Sequence, residues 1–329
     1  MRGLLRHIIA PALVLLLFQT SFAIQPTNSV PVAKAALVIG NADYEAANIL
    51  KNPTTDAQDM CRALNQLGFA TSCYLNMRTR VQMRAAIQDF ADTLTPGTVS
   101  FIYYAGHAVQ INGENYLIPT AAQLQSESSV TGESVGLSYV MTQLRQSHAY
   151  LNIVVLDACR ENPLPPSSRS LAQGLAQVTD IPDSTVVFFA TAANSLALDG
   201  VGRNGILTKN LLAHLREEGS VNDLFDSVSS GVQRDANQLG RVQQPALYKN
   251  FGGQYCLLRC TELEQQDAKV KALEVRVASG EQVQAELDIA NKKFAKMEDD
   301  QRRKDEAARK EADKKARNRQ DDAFVPPNF

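Results

Sequence analysis

The sequence predicts an α/β fold with a mainly parallel sheet, on three observations. Short continuous apolar runs of strand length recur at Lys34–Gly40, Val99–Tyr104, Ile153–Leu156 and Thr185–Ala190, and strands buried on both faces read this way in parallel sheets. Segments with helical apolar spacing separate these runs, which is the alternation of an α/β sandwich. Two of the runs are followed by reactive side chains, His107 and Cys159. In open α/β sheets, ligands bind beyond the carboxyl ends of the strands.

The elements follow in order. Arg2 and Arg6 precede an apolar stretch from Ile8 to Phe18, and Ser21-Phe22-Ala23 supplies small residues at a cleavage position. This reads as a cleaved secretory signal over residues 1–23, too short for an ordinary membrane span, with an uncleaved anchor as the alternative. A Pro-containing linker occupies 24–33, and a folded domain is expected over 34–260. Its first strand, Lys34–Gly40, ends at a glycine. Asn52-Pro-Thr-Thr-Asp56 opens a helix that Thr54 or Thr55 would cap, with apolar residues at Met60, Leu64 and Leu67 and a stop at Gly68. Phe69–Leu75 is the second strand. Thr79–Leu94 is an amphipathic helix with Val81, Met83, Ile87, Phe90 and Leu94 on its apolar side, stopped by Pro96-Gly97.

Val99–Tyr104 is the third strand, and Tyr116–Pro119 a short extended piece. Leu137–Leu144 is a helix, Ile153–Leu156 the fourth strand and Thr185–Ala190 the fifth. Residues Glu161–Gln177, rich in Pro, Ser and Gly, read as a mobile loop. Two helices, about Gly205–Glu218 and Val221–Ala236, precede a last strand expected at Gly253–Leu258.

From Thr261 the composition shifts to Glu, Lys, Arg, Asp, Gln and Ala. Leu263, Val270, Leu273, Val277, Leu287 and Phe294 fit a seven-residue repeat interrupted at Gly280, Gln284 and Asn291. Residues 261–322 are therefore expected to form a charged helical or coiled-coil extension, with self-association or partner binding through 261–297. A solvated helix is the alternative. Residues 323–329 read as a disordered tail.

Bulk properties narrow the function classes. The chain has 329 residues and 44% hydrophobic content, enough for a real core. Its 33 basic and 35 acidic residues leave a net charge of −2, so nothing suggests a nucleic-acid partner. No segment is long and apolar enough for a stable membrane span. Export, to the periplasm or outside the cell, permits disulfides. The five cysteines, Cys61, Cys73, Cys159, Cys256 and Cys260, leave at least one thiol over, and Cys159 is the expected leftover. Cys61 with Cys73 is preferred among the other four, which would otherwise be buried thiols. On one extended strand, Cys256 and Cys260 would stand roughly 13 Å apart, too far to bridge.

The chemistry rests on His107 and Cys159. A thiol becomes a strong nucleophile on losing its proton, and an imidazole can take that proton and later protonate a leaving amine. An oxyanion hole from backbone N–H groups completes such a site. Gly106 lets the chain turn beside His107, and the N–H groups of Ala108 and Cys159 are the natural donors.

Tyr-Tyr-Ala-Gly-His107 and Asp-Ala-Cys159-Arg-Glu-Asn-Pro resemble the His and Cys motifs of the caspase-like cysteine peptidases, in their exported bacterial metacaspase (orthocaspase) branch. Cys159 follows His107 by 52 positions, against about 50 in caspases. Leu50-Lys-Asn-Pro-Thr-Thr-Asp-Ala, Leu67-Gly-Phe69, Ala190-Thr-Ala and Gly202-Arg-Asn-Gly-Ile-Leu-Thr-Lys-Asn-Leu-Leu also match, so the resemblance spans about Lys34 to Leu258. It implies a caspase–haemoglobinase three-layer sandwich, His107 as base, Cys159 as nucleophile, and peptide-bond hydrolysis without a cofactor, though some eukaryotic members need calcium. It implies protein or peptide substrates with Arg or Lys before the scissile bond. Asp157 would line the specificity pocket, where a buried carboxylate meets a basic side chain. Asp56 is a second candidate there, its alternative role being a first-turn carboxylate favoured by the helix dipole.

The chain departs from the family pattern at Ala108, usually Gly, and at Ala105, where Ser is common. A requirement for φ > 0 at position 108 would strain an alanine. Self-processing after Arg169 or Arg203 is a further expectation. Gly132-Glu-Ser-Val-Gly136 matches a nucleophile elbow, but polar residues rather than a strand precede Ser134. His148 and His214 read as surface residues near helices, and His7 belongs to the signal. No Cys or His spacing reads as a zinc site, and no glycine-rich phosphate loop is present. Two functions follow: an Arg/Lys-specific cysteine endopeptidase, or a catalytically silent caspase-like scaffold that recruits envelope partners through its coiled coil.

Overall fold

A computed structural model of the chain describes residues 33–159, 175–192, 202–252, 255–278, 280 and 282–322. The elements are β1 (Lys34–Gly40), α1 (Pro53–Gln66), β2 (Ala70–Leu75), α2 (Arg80–Asp92), β3 (Val99–Ile111), β4 (Glu114–Leu117), α3 (Glu127–Glu133), β5 (Val135–Gly136), α4 (Leu137–Ser147), β6 (Leu151–Cys159), β7 (Thr185–Phe189), α5 (Ile206–His214), α6 (Val221–Gln238), β8 (Ala246–Asn250), α7 (Glu262–Ala278) and α8 (Gln284–Asp322). The expected signal, the expected linker apart from Ala33, residues 160–174 including Arg169, and the expected tail lie outside the described residues.

The main sheet runs β2-β1-β3-β6-β7-β8, parallel except for β8 against β7. β3 continues past its neighbour β1 and turns back as an antiparallel hairpin with β4, which in turn pairs with β5. The period of two sends alternate side chains to opposite faces. Phe101 and Tyr103 of β3 and Ile153 and Val155 of β6 join one core under α1, α5 and α6. Ile102 and Tyr104 with Val154 and Leu156 join the other core, under α2 and α4. This is the three-layer, mainly parallel sandwich that the sequence predicts.

Several elements differ from expectation. α1 is capped by neither threonine: Asn52 is the N-cap without a side-chain cap bond, because Pro53 at the first helical position leaves one fewer N–H to satisfy. In α2, Thr79 does cap, but Val81 is 76% exposed and lies off the apolar side. β3 runs to Ile111, so His107 sits within a strand rather than beyond one. The last strand is Ala246–Asn250, not Gly253–Leu258: Tyr255 to Leu258 lie in a bent segment, and 253–254 lie outside the described residues. That bend removes the obstacle to a bridge, and Cys256–Cys260 forms with Cα atoms 5.2 Å apart. Cys61–Cys73 ties α1 to β2, its Cα atoms 6.3 Å apart. Both bridges leave Cys159 out.

The C-terminal extension is two helices rather than one. Gly280, at φ +90°, sits between them. Val270 and Leu273 of α7 pack on Leu287 and Ala290 of α8, with Val283 between, and Gln266 Nε2 donates to the Ala290 carbonyl over 3.0 Å. The apolar repeat is thus used within the chain. Beyond it, residues 301–311 are exposed, and pairs such as Lys310–Glu306, four residues apart, support a solvated helix.

Phe225 of α6 is fully buried and stacks on Phe188 of β7 with centroids 4.4 Å apart. Phe225→Ala is expected to cost about 3–5 kcal/mol. Urea denaturation followed by circular dichroism reads this loss, and a loss below 1 kcal/mol would contradict the packing described.

Candidate active site

The site is built where β3 outruns β1. Their pairing ends at Gly40 opposite Ala105, whereas β3 and β6 stay in register until His107 stands opposite Cys159. The segment after β1 fills the space that β1 vacates. His107 donates its backbone N–H to the Tyr44 hydroxyl over 2.7 Å, and the two rings lie 4.5 Å apart. The His107 carbonyl accepts from the Tyr104 hydroxyl at 2.6 Å and the Ile118 N–H at 3.1 Å. The side chain is 2% exposed.

The imidazole orientation follows from one contact. Nε2 lies 2.8 Å from the Asn48 carbonyl oxygen. A carbonyl can only accept, so Nε2 carries the proton and Nδ1 holds the lone pair of the neutral ring. This is the arrangement of a base held in one tautomer by a third group.

Glycine is required at 106. Its φ is +153°, and a Cβ there would lie 2.6 Å from the Tyr44 hydroxyl and 2.8 Å from the Tyr104 hydroxyl. Position 108 has no such requirement: among the described residues, the non-glycines with positive φ are Asn76, Asn112, His148 and Ser184. The strain that an alanine at 108 would suffer at positive φ therefore does not arise. Ala108 pairs with Leu117, and the adjacent Ile118 N–H donates to His107. That makes 108 and 117 a non-hydrogen-bonded pair. The Ala108 N–H therefore points away from β4 to the β6 side, where the β3–β6 pairing runs on to Cys159.

Two carboxylates converge beside Gly205, just before α5. A Cβ on Gly205 would lie 3.2 Å from Asp56 Oδ2 and 3.4 Å from Asp157 Oδ2. Asp56, 2% exposed in the first turn of α1, accepts from Asn204 Nδ2 at 2.9 Å and the Gly205 N–H at 3.1 Å. Asp157, near the end of β6, accepts from the Thr208 hydroxyl at 2.6 Å and the Tyr103 hydroxyl at 3.4 Å. Burial first, then Asp157 and Asp56, push the Tyr103 phenol well above its ordinary value, so it stays a neutral donor. Two acidic groups among neutral donors can receive a cationic side chain.

Other sequence candidates fall elsewhere. Arg203 is not presented as an open loop residue: its Nε and Nη2 each lie 2.9 Å from Asp59, and its carbonyl accepts from the Thr55 hydroxyl at 3.1 Å. Ser134 is fully buried at the end of α3, with no strand before it. His148 is exposed at the end of α4, and His214 faces Glu217. Among the described residues, no group of three or more His, Cys, Asp or Glu side chains is placed to hold a metal ion, and no helix is long and apolar enough to cross a membrane.

Sequence reasoning missed Tyr44, Asn48, Tyr103, Thr208 and Gly205. Asn48 acts through its backbone, which leaves no side-chain signal. Tyr103 lies in an apolar run and reads as core. Thr208 and Gly205 belong to the matched Gly202–Leu212 segment, where the signal was present without a role attached.

Gly106→Ala is expected to cost about 1–3 kcal/mol through forced positive φ and contact with two hydroxyls. Tyr44→Phe is expected to cost about 1–2 kcal/mol by leaving the buried His107 N–H without its acceptor. Chemical denaturation measures both, and unchanged midpoints would contradict the geometry.

Comparison with known proteins agrees with this architecture. A family model described as the caspase domain matches residues 33–253. The human mucosa-associated lymphoid tissue lymphoma translocation protein 1 is 27% identical over 216 residues, 63% of this chain and 25% of that protein. Its mouse homologue is 27% identical over 205 residues, 60% of this chain and 23% of that protein. The chain thus spans about a quarter of the length of the curated relatives it matches. The crystal structure of protein GSU0716 from Geobacter sulfurreducens superposes with a TM-score of 0.52 at 16% identity, covering 67% of this chain and 94% of that one, a likeness of fold. With residues 33–253 of its 329 matched by the family model, the chain belongs to the caspase-domain family of peptidases.

Proposed function

We propose that the chain is a cysteine endopeptidase that cleaves after Arg or Lys, with Cys159 as nucleophile and His107 as base. The observation that carries this reading is the register that sets His107 opposite Cys159 on adjacent strands. His107 Nδ1 takes the thiol proton, and the sulfur bonds to the substrate carbonyl carbon. The N–H groups of Ala108 and Cys159, at the last pair of the β3–β6 ladder, hold the resulting oxyanion once the substrate displaces that pairing. Collapse expels the amine, which takes the proton from the imidazolium. Water, deprotonated by the same ring, then cleaves the thioester and restores the thiol. No cofactor enters this scheme.

Asp157 and Asp56 supply the basic preference, because a guanidinium or ammonium entering beside Gly205 would meet both carboxylates. The substrates are proteins or peptides with exposed basic residues. An exported, oxidising location agrees with two disulfides that leave a single thiol over. For self-processing, Arg169 is the favoured position, since Arg203 would first have to leave Asp59 and Thr55. The silent-scaffold alternative rests on Ala108 and on the long charged helix. Ala108 has an ordinary backbone conformation, while residues 301–311 of α8 are exposed and remain open to a partner.

Wild-type protein is expected to hydrolyse a fluorogenic peptide ending in Arg, and Cys159→Ala to lose all turnover. Asp157→Asn is expected to lower kcat/KM for that peptide by about 10- to 150-fold, the loss of a charged hydrogen bond worth about 1.5–3 kcal/mol. N-terminal sequencing should find a fragment starting at Ser170 in the wild type and not in Cys159→Ala. Equal turnover by Cys159→Ala would refute the assignment.

A further inference from the structure

A second concave site lies on the opposite face from α1. Arg78, Arg80 and Arg84 surround a cavity of about 590 Å³ whose far wall is formed by Ala121, Gly132 and Glu133. The one-turn spacing of Arg80 and Arg84 puts two like charges side by side, an arrangement that is unfavourable on its own. Arg78 pairs with Glu45 at 2.6 Å. Arg80 Nη1 donates to the Gly132 carbonyl at 2.8 Å, and the Arg84 guanidinium lies 4.0 Å over the Tyr139 ring. None of the ion pairs among the described residues involves Arg80 or Arg84. The one carboxylate in the wall, Glu133, accepts instead from the Gln123 N–H at 2.7 Å. Three arginines therefore line one cavity against a single wall carboxylate, and of the three only Arg78 has an ion pair among the described residues.

We propose that this cavity binds a small phosphate-type polyanion, such as pyrophosphate, through Arg78, Arg80 and Arg84. Planar guanidinium forks match phosphate oxygens two at a time. A ligand with several charged oxygens can pair with Arg80 and Arg84, which neither Glu45 nor Glu133 does among the described ion pairs. Pyrophosphate, the end of a polyphosphate chain and other small phosphate compounds share this chemistry.

The cavity is also joined to His107. Glu45, the partner of Arg78, is held by its N–H to the Thr120 carbonyl at 2.9 Å, and the Thr120 N–H donates to the Met77 carbonyl at 2.8 Å. Tyr44 precedes Glu45, and Asn48 follows in the same segment, so the residues that hold the imidazole share a strap with the ligand-facing salt bridge. An anion that draws Arg78 from Glu45 changes the tether of that strap. This coupling rests on the catalytic reading of His107, whereas the binding itself does not.

Isothermal titration of the full chain with sodium pyrophosphate, at constant ionic strength, tests the site. Saturable one-to-one binding is expected, weaker for orthophosphate. The Arg80→Gln/Arg84→Gln variant should lose at least tenfold in affinity. Glu45→Gln, which frees Arg78 without touching the cavity wall, should bind more tightly. Since Arg80 also braces Gly132, Arg84→Gln alone serves as the second variant, and its affinity should fall while its melting temperature holds. Absence of saturable heat, equal affinity in the double variant, or equal binding of an aspartate-rich peptide would overturn the proposal. Pyrophosphate should also change the turnover of an Arg peptide in the wild type and not in the double variant. Binding without that change would overturn the coupling and keep the site, and calorimetry reads the site even if no peptidase activity is found.

Discussion

The parallel register of β3 and β6 is the constraint on which the rest depends. Every pair from Val99 opposite Leu151 to His107 opposite Cys159 has the same offset, so the 52-residue spacing of the two reactive residues is the sheet register itself. A slip by one residue would send every side chain of a strand to the other face. Both strands are buried throughout most of their length, which makes such a slip prohibitively costly. A polar pair marks the register from inside: the Ser100 hydroxyl donates to Asn152 Oδ1 at 2.6 Å across opposed positions, and a slip would break that buried bond.

From that register, local features prepare the imidazole. The end of β1 leaves β3 with one flank open, and the following segment brings Tyr44 and the Asn48 carbonyl into the space. Gly106 allows the approach of two tyrosine hydroxyls that no larger residue would admit. The opposite end of the site is shaped by α1 and α5, whose first turns bring Asp56 and Thr208 to the tip of β6. Stability and chemistry draw on the same contacts here, because the groups that satisfy buried backbone also orient the reactive ring.

Much of this was legible in the sequence. The buried strands announced themselves as unbroken apolar runs, and the two motif positions, His107 and Cys159, fall opposite each other in the register. The length of β3 was hidden by Gly106, which reads as a turn beside His107 but serves as a point of close approach within the strand. β8 was missed because Ala-Leu-Tyr-Lys-Asn at a half-exposed sheet edge lacks the apolar continuity of a central strand. The heptad pattern showed an apolar seam but not its partner, and only the turn at Gly280 reveals that the chain pairs with itself. The Asn48 contact was beyond reach, since a backbone carbonyl carries no residue identity.

The central claim is that His107 and Cys159 act as one acid–base unit, and it is tested most directly by the pH dependence of iodoacetamide alkylation at Cys159, the one cysteine outside the two disulfides. In the wild type the rate should titrate clearly below the ordinary thiol value of about 8.5, and His107→Asn should restore that ordinary value. Identical profiles for the two proteins would contradict the account.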